Sequence, residues 1–271
     1  MFVASTTAAA GASYPRLEVT LEPRAHLTLI ERHVSAGADD SFVNGAVAIT
    51  LGRGAELRHY RLQDLAPRAL YFDTLDAALA ANACYRLHGI ATGAVSARST
   101  LRVRLEGERA GFVMALAALG DRQQVQDTFV QVEHQAPRTR SEQTFRGIAA
   151  GRSRVAGNSK VVVAPRAAGT DSQQSLRGLL AGPEAEIDVR PQLEIYTDDV
   201  RCSHGATAGK LDDNMLFYLL SRGLDRDTAQ RLLKWAFLGD ALAKIALPEV
   251  RRAVEMRLAA VLKDATIQEL L

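Results

Sequence analysis

Between residue 15 and about residue 209, apolar and polar side chains alternate in short runs broken by glycine, asparagine or proline. Leu17-Glu18-Val19-Thr20-Leu21, His26-Leu27-Thr28-Leu29-Ile30, Ala46-Val47-Ala48-Ile49-Thr50-Leu51, Thr100-Leu101-Arg102-Val103-Arg104-Leu105 and Lys160-Val161-Val162-Val163 are examples. A period of two is what a strand buried on one face requires, because successive side chains point to opposite faces. Strands crowded this densely predict a sandwich, a barrel or a solenoid. An internal echo favours the solenoid. Gln143-Thr144-Phe145-Arg146-Gly147-Ile148 is answered 31 residues later by Gln174-Ser175-Leu176-Arg177-Gly178-Leu179, in the shared frame Gln-x-x-Arg-Gly-aliphatic. That spacing suits one coil of a parallel β-helix, which stacks its apolar residues on the coil before it. An antiparallel sandwich is the alternative.

Near Lys210 the pattern changes to leucine, alanine and charge at helical spacing, which divides the chain into a β-helix core domain over 1–209 and a C-terminal helical domain over 210–271. Asp212 or Asp213 can cap a helix through Leu220, and Gly223 is placed to end it in the left-handed conformation. Asp225 or Asp227 offers a second cap, before a stripe of Ala229, Leu232, Leu233, Ala236 and Phe237. Pro248 starts a third helix, with Val250, Val254, Leu258, Val261, Leu262 and Ala265 on one face and Arg251, Arg252, Glu255 and Lys263 on the other.

Composition removes several function classes. Lys and Arg number 33 against 31 Asp and Glu, and a net charge of +2 gives no electrostatic case for nucleic acid or an anionic membrane. The longest apolar run, Gly111 to Gly120, falls short of the ~20 residues of a membrane-spanning helix. Met1 to Tyr14 has no positive n-region, so no secretory signal is expected. Two cysteines, Cys84 and Cys202, make no disulfide framework, and a reducing cytoplasm is the expected compartment.

The segment Glu194-Ile195-Tyr196-Thr197-Asp198-Asp199-Val200-Arg201-Cys202-Ser203-His204-Gly205-Ala206-Thr207 closely resembles the signature of the SufB/SufD family of iron–sulfur cluster assembly proteins. The similarity continues through Gly209-Lys210-Leu211-Asp212-Asp213 and Phe217-Tyr218-Leu219-Leu220-Ser221-Arg222-Gly223. Upstream, Gln143 to Gly147 and Ala168-Gly169-Thr170-Asp171 also resemble family segments. Gly205 follows the histidine where the SufB signature has Glu, so the form is similar to the SufD branch.

The resemblance implies a right-handed parallel β-helix, pairing with SufB through that core, and a C-terminal helical segment that docks the ATPase SufC. Asp212, Phe217, Tyr218 and Arg222 are the expected docking residues. It implies a non-catalytic scaffold, with ATP hydrolysis left to SufC and a transient iron–sulfur cluster shared with SufB. His204, with Cys202 beside it, is expected near the assembly interface. The isolated chain is expected to hold no stable cluster and to form a homodimer. The sequence departs from the pattern in two places: strand-like sequence begins by Leu17, where members usually carry a helical region, and Leu176-Arg177-Gly178 stands where relatives often have stacked asparagines.

Read without the family, Cys202 and His204 lie two apart in an extended stretch and present a thiol and an imidazole on one face. Both donors suit iron and zinc, but two ligands do not close a four-coordinate site, so the rest would come from another chain. A buried cysteine beside a hydrogen-bonded histidine is the bland alternative. Cys84 reads as a small buried hydrophobe, and His26, His33, His59 and His134 as surface or edge residues. Gly205-Ala206-Thr207-Ala208-Gly209-Lys210-Leu211 fails as a phosphate-binding loop, being one residue short and carrying Leu211 in place of the Ser or Thr. The rival classes are a β-helical carbohydrate-active enzyme and a homodimeric scaffold without metal chemistry. The first needs paired carboxylates, and Asp198-Asp199, Asp39-Asp40 and Asp212-Asp213 read instead as strand, turn and cap positions.

Overall fold

The computed structural model describes residues 11–35 and 40–262. Asp39, Lys263 and Ala265 lie outside them, as does most of the stretch before Tyr14. Among the described residues the strands are, in chain order, β1 (Gly11–Ser13), β2 (Arg16–Leu21), β3 (His26–Val34), β4 (Ser41–Leu51), β5 (Glu56–Leu65), β6 (Leu70–Leu79), β7 (Cys84–Gly93), β8 (Ser96–Leu105), β9 (Gly111–Gly120), β10 (Val125–His134), β11 (Arg140–Ala149), β12 (Arg154–Val163), β13 (Thr170–Leu180), β14 (Glu186–Ile195) and β15 (Val200–Lys210). Three helices follow: α1 (Asp213–Ser221), α2 (Arg226–Leu242) and α3 (Pro248–Leu262). From β3 onward, odd strands pair with odd strands and even with even. Every pairing is parallel, which makes a two-sheet β-helix of about seven coils.

The 31-residue echo is the register itself. Gln143 pairs with Gln174, Arg146 with Arg177, Gly147 with Gly178 and Ile148 with Leu179. The frame alternates in and out of the lumen. Arg146 and Ile148 point outward, the first to Asp240 and the second into the apolar layer beneath the helices. Gly147 and Gly178 face inward because the opposite sheet fills their space: a Cβ at Gly178 would lie 2.1 Å from Ile187 Cγ2.

The lumen is built of columns, one residue per coil. Ile49, Ala77, Val103, Val132, Val161 and Leu193 form one, and Leu51, Leu79, Leu105, His134, Val163 and Ile195 another. The outer face of the even sheet is open to solvent, with Arg102–Glu133, Arg104–Asp76 and Lys160–Glu194 pairs bridging neighbouring coils and Leu70, Phe72 and Val125 partly exposed among the polar positions. The outer face of the odd sheet carries Tyr60, Leu62, Ile90, Leu119, Ile148 and Leu179, and these are covered by Leu238, Leu242 and Ile245 of α2 and its end and by Val250, Val254 and Leu258 of α3. Alternation thus makes one outer face for water and one for the helices.

Two histidines expected at the surface are fully buried. His134 sits in an aliphatic column, its Nδ1 2.8 Å from Thr139 Oγ1 and its Nε2 2.8 Å from Ser141 Oγ. Thr139 donates its proton to the Ala136 carbonyl, as Thr170 does to Ala167 one coil on. Thr139 therefore accepts from His134 Nδ1–H, and Ser141 donates to Nε2. Burial pushes the imidazole down to about 4. An unfolded histidine takes its proton near 6.5, so this contribution is complete above pH 6.5 and is lost as pH falls toward 4, reaching about 2 kcal/mol by pH 5. Denaturant midpoints should fall from pH 7 to pH 5, and His134→Leu should flatten that fall; an equal slope in the variant would refute the assignment.

His59 anchors a second buried network. Its Nε2 donates to Glu31 Oε2 at 2.9 Å, so Nδ1 accepts from Tyr85 Oη at 3.0 Å, and burial lowers its pKa in keeping with the neutral form. His33 donates to Glu31 Oε1 at 2.6 Å. Arg61 Nε donates to Glu31 Oε2 at 2.9 Å, while Nη1 lies 2.8 Å from Asp73 Oδ2 as an ion pair without hydrogen-bond alignment. Burial alone would raise the Glu31 pKa, but His33, His59 and Arg61 outweigh it and hold the carboxyl well below its usual range. His26 is exposed as expected.

Asp212 caps α1, accepting from Asn214 N–H at 2.8 Å and Met215 N–H at 3.1 Å. Gly223, at φ +89°, donates to the Leu220 carbonyl and Leu224 to that of Leu219, so the helix ends in a Schellman motif. Asp225 caps α2 through Thr228 N–H. The buried stripe of α2 lies further along than the periodicity indicates: Ala229, Leu238, Ala241 and Leu242 are buried, whereas Leu232 and Ala236 face solvent. Arg146–Asp240 at 2.8 Å and Lys244–Thr144 Oγ1 at 2.9 Å fasten α2 and its end to the odd sheet.

Candidate functional site

Cys202 and His204 are the last members of two neighbouring lumen columns. One runs Leu57, Tyr85, Phe112, Ser141, Ser172, Cys202, and the other His59, Leu87, Met114, Gln143, Gln174, His204. Among the described residues β15 ends the odd sheet, and no further coil stacks on either residue. Side chains that would be core one coil earlier are therefore presented at an open end. Cys202 packs partly against the lumen core, and His204 is exposed. Burial raises the Cys202 thiol above its ordinary pKa, so at neutral pH it carries its proton. The i, i+2 reading holds: both side chains share the inward face of one strand.

Among the described residues, no three or more His, Cys, Asp or Glu side chains come together as a metal-binding group. The other sequence candidates separate. Cys84 is half-buried in β7, its thiol pKa raised by burial. Asp198 and Asp199 lie in a bend between β14 and β15 and not in a strand, Asp40 pairs with Arg68, and Asp212 is the cap. Gly205 to Lys210 is extended strand, without the loop that a phosphate site needs.

At the other candidate surface, Phe217 and Tyr218 are both exposed, at 72% and 55%, with Met215 at 58% beside them. Neither aromatic packs inward, because Leu216 takes that place. Arg222, the C-cap, holds its guanidinium 5.1 Å from the centre of the Tyr218 ring. Buried in the column behind His204 are Gln174, one coil back, and Gln143, two coils back; the echoed Gln of the two coils was their only signal in the sequence.

The chain is thus a two-sheet parallel β-helix that ends on a part-buried cysteine and an exposed histidine and carries helices on the outer face of one sheet. The sequence model described as SUF system FeS cluster assembly, SufBD core domain, matches residues 2–237, and the chain belongs to that family. It is 34% identical over 225 residues to the iron-sulfur cluster assembly protein SufD of Escherichia coli K12, covering 83% of this chain and 53% of that protein. An iron-sulfur cluster assembly SufBD family protein of Synechocystis is 32% identical over 246 residues, covering 88% and 54%. The chloroplastic protein ABCI7 of Arabidopsis thaliana is 28% identical over 243 residues. The chain spans about half the length of these curated relatives.

Proposed function

We propose that this chain is a SufD-like scaffold component of iron–sulfur cluster assembly, which pairs with SufB and binds the ATPase SufC. The observation that carries the reading is the pair Cys202 and His204 on the inward face of an uncovered terminal strand. One thiol and one imidazole make half of a four-coordinate site, and a partner seated on this end would supply the rest. His204 is the principal ligand to the transient cluster, and Cys202 contributes beside it. The free edges of β14 and β15 are templates for strand pairing, which is how SufB would dock, with a second copy of this chain as substitute in its absence. SufC binds at the exposed face of α1. ATP hydrolysis belongs to SufC, and this subunit is a non-catalytic member of a cytoplasmic complex.

Anaerobic reconstitution with iron and sulfide, in the presence of SufB and SufC, tests the reading. His204→Ala should lower the cluster yield at least about tenfold, the scale of losing one metal ligand or its supporting partner, and Cys202→Ala should lower it less. A yield unchanged by His204→Ala would leave only a scaffold without metal chemistry.

A further inference from the structure

We propose that Gln174 is a positioning residue for His204, its side-chain oxygen accepting one ring N–H and so fixing which nitrogen keeps a lone pair. The inference deepens the ligand reading of His204 and rests on it for its purpose. Gln174 is 3% exposed and pairs directly with His204 across β13 and β15. Its Nε2 lies 2.9 Å from the Ser159 carbonyl and 2.8 Å from Ser159 Oγ. A carbonyl only accepts, so the amide orientation is fixed with nitrogen toward Ser159. The oxygen, Gln174 Oε1, is left buried without a hydrogen-bond partner.

A buried acceptor left unmade costs stability, and the donors within one strand spacing are the residues in register with it. On one side is Gln143, fully buried with both amide atoms unpartnered. On the other is His204, whose imidazole is exposed and has no hydrogen-bond partner among the described residues. A carbonyl-type oxygen has two lone pairs, so Gln143 and His204 can both donate to it. Rotation of the exposed imidazole about its side-chain bonds turns a ring N–H to Gln174 Oε1, and the other nitrogen then presents its lone pair at the open end. A ligating histidine needs this arrangement, with one nitrogen free for the metal and the other held by an acceptor that sets tautomer and ring plane.

The test is the tautomer state of His204 in the metal-free full chain, read from two-bond ¹H–¹⁵N correlations at pH 8 with ¹⁵N-histidine labelling and His204→Gln to assign the resonance. One dominant tautomer is expected, and Gln174→Met, which keeps the length and removes the acceptor, should shift the ratio about fivefold, the scale of one net hydrogen bond. A wild-type ratio equal to that of an unfolded histidine peptide overturns the proposal even if Gln174→Met fails to fold. So does a ratio unmoved in a folded Gln174→Met chain, which would mean that water satisfies the amide. Because no metal is present, this readout is independent of cluster yield, and the ligand reading stands or falls separately.

Discussion

Arg61→Ala is expected to cost about 3–5 kcal/mol of folding stability, enough to leave the chain largely unfolded at 37 °C if it is ordinarily stable. The guanidinium lies inside the lumen between Glu31 and Asp73, with its side chain 11% exposed and both carboxylates nearly enclosed. Removing it leaves two buried negative groups whose remaining partners are neutral or only partly charged. Glu31 would retain its bonds from His33 and His59, and Asp73 its bond from Ser99. Coulomb attraction to Arg61 would be gone while the desolvation penalty stayed. Denaturant unfolding of the two proteins at pH 7 measures the difference. A loss under about 1 kcal/mol would mean that water reaches the cluster and screens it.

The second large effect falls on α1. Phe217→Ala combined with Tyr218→Ala should weaken binding to SufC by about 2–4 kcal/mol, or roughly 30- to 1000-fold, as expected for aromatic anchors at the centre of an interface. Both rings already face solvent, so their removal should cost little folding stability, and the two effects separate cleanly. Deletion of everything after Lys210 is a poorer test. It would bare Tyr60, Leu62, Ile90, Leu119, Ile148 and Leu179 on the odd sheet and favour aggregation. Calorimetric titration of SufC into the double variant decides the matter, and unchanged affinity would return α1 to the role of a simple cap on the end of the solenoid.

The repeat was legible because it is physical. A residue that must stack on its own counterpart one coil later recurs at the coil length, and the pairing of Gln143 with Gln174 follows from that constraint. Caps were legible for the same kind of local reason: Asp212 and Asp225 accept backbone N–H groups within three residues of themselves. The placement of Cys202 and His204 on one face needed only the period of a strand. What the chain did not disclose was which polar residues turn inward. His59 and His134 sit in strands of mixed pattern, and only the register shows that His134 stands in an otherwise aliphatic column and that His59 lies between Leu29 and Leu87. The stripe of α2 was misplaced for a related reason. Its buried face is chosen by the odd sheet, which engages the second half of the helix, and no local periodicity records where a distant surface lies.

Nitrogen hyperfine coupling at the assembled cluster is the most direct test of His204 as a ligand. The cluster is reconstituted anaerobically with SufB and SufC at natural abundance and this chain labelled with ¹⁵N-histidine, then reduced to a paramagnetic state and examined by electron–nuclear double resonance. The account predicts a directly coordinated ¹⁵N signal that disappears in His204→Gln. A cluster formed in full yield with no ¹⁵N coupling, or with coupling that survives His204→Gln, would contradict it.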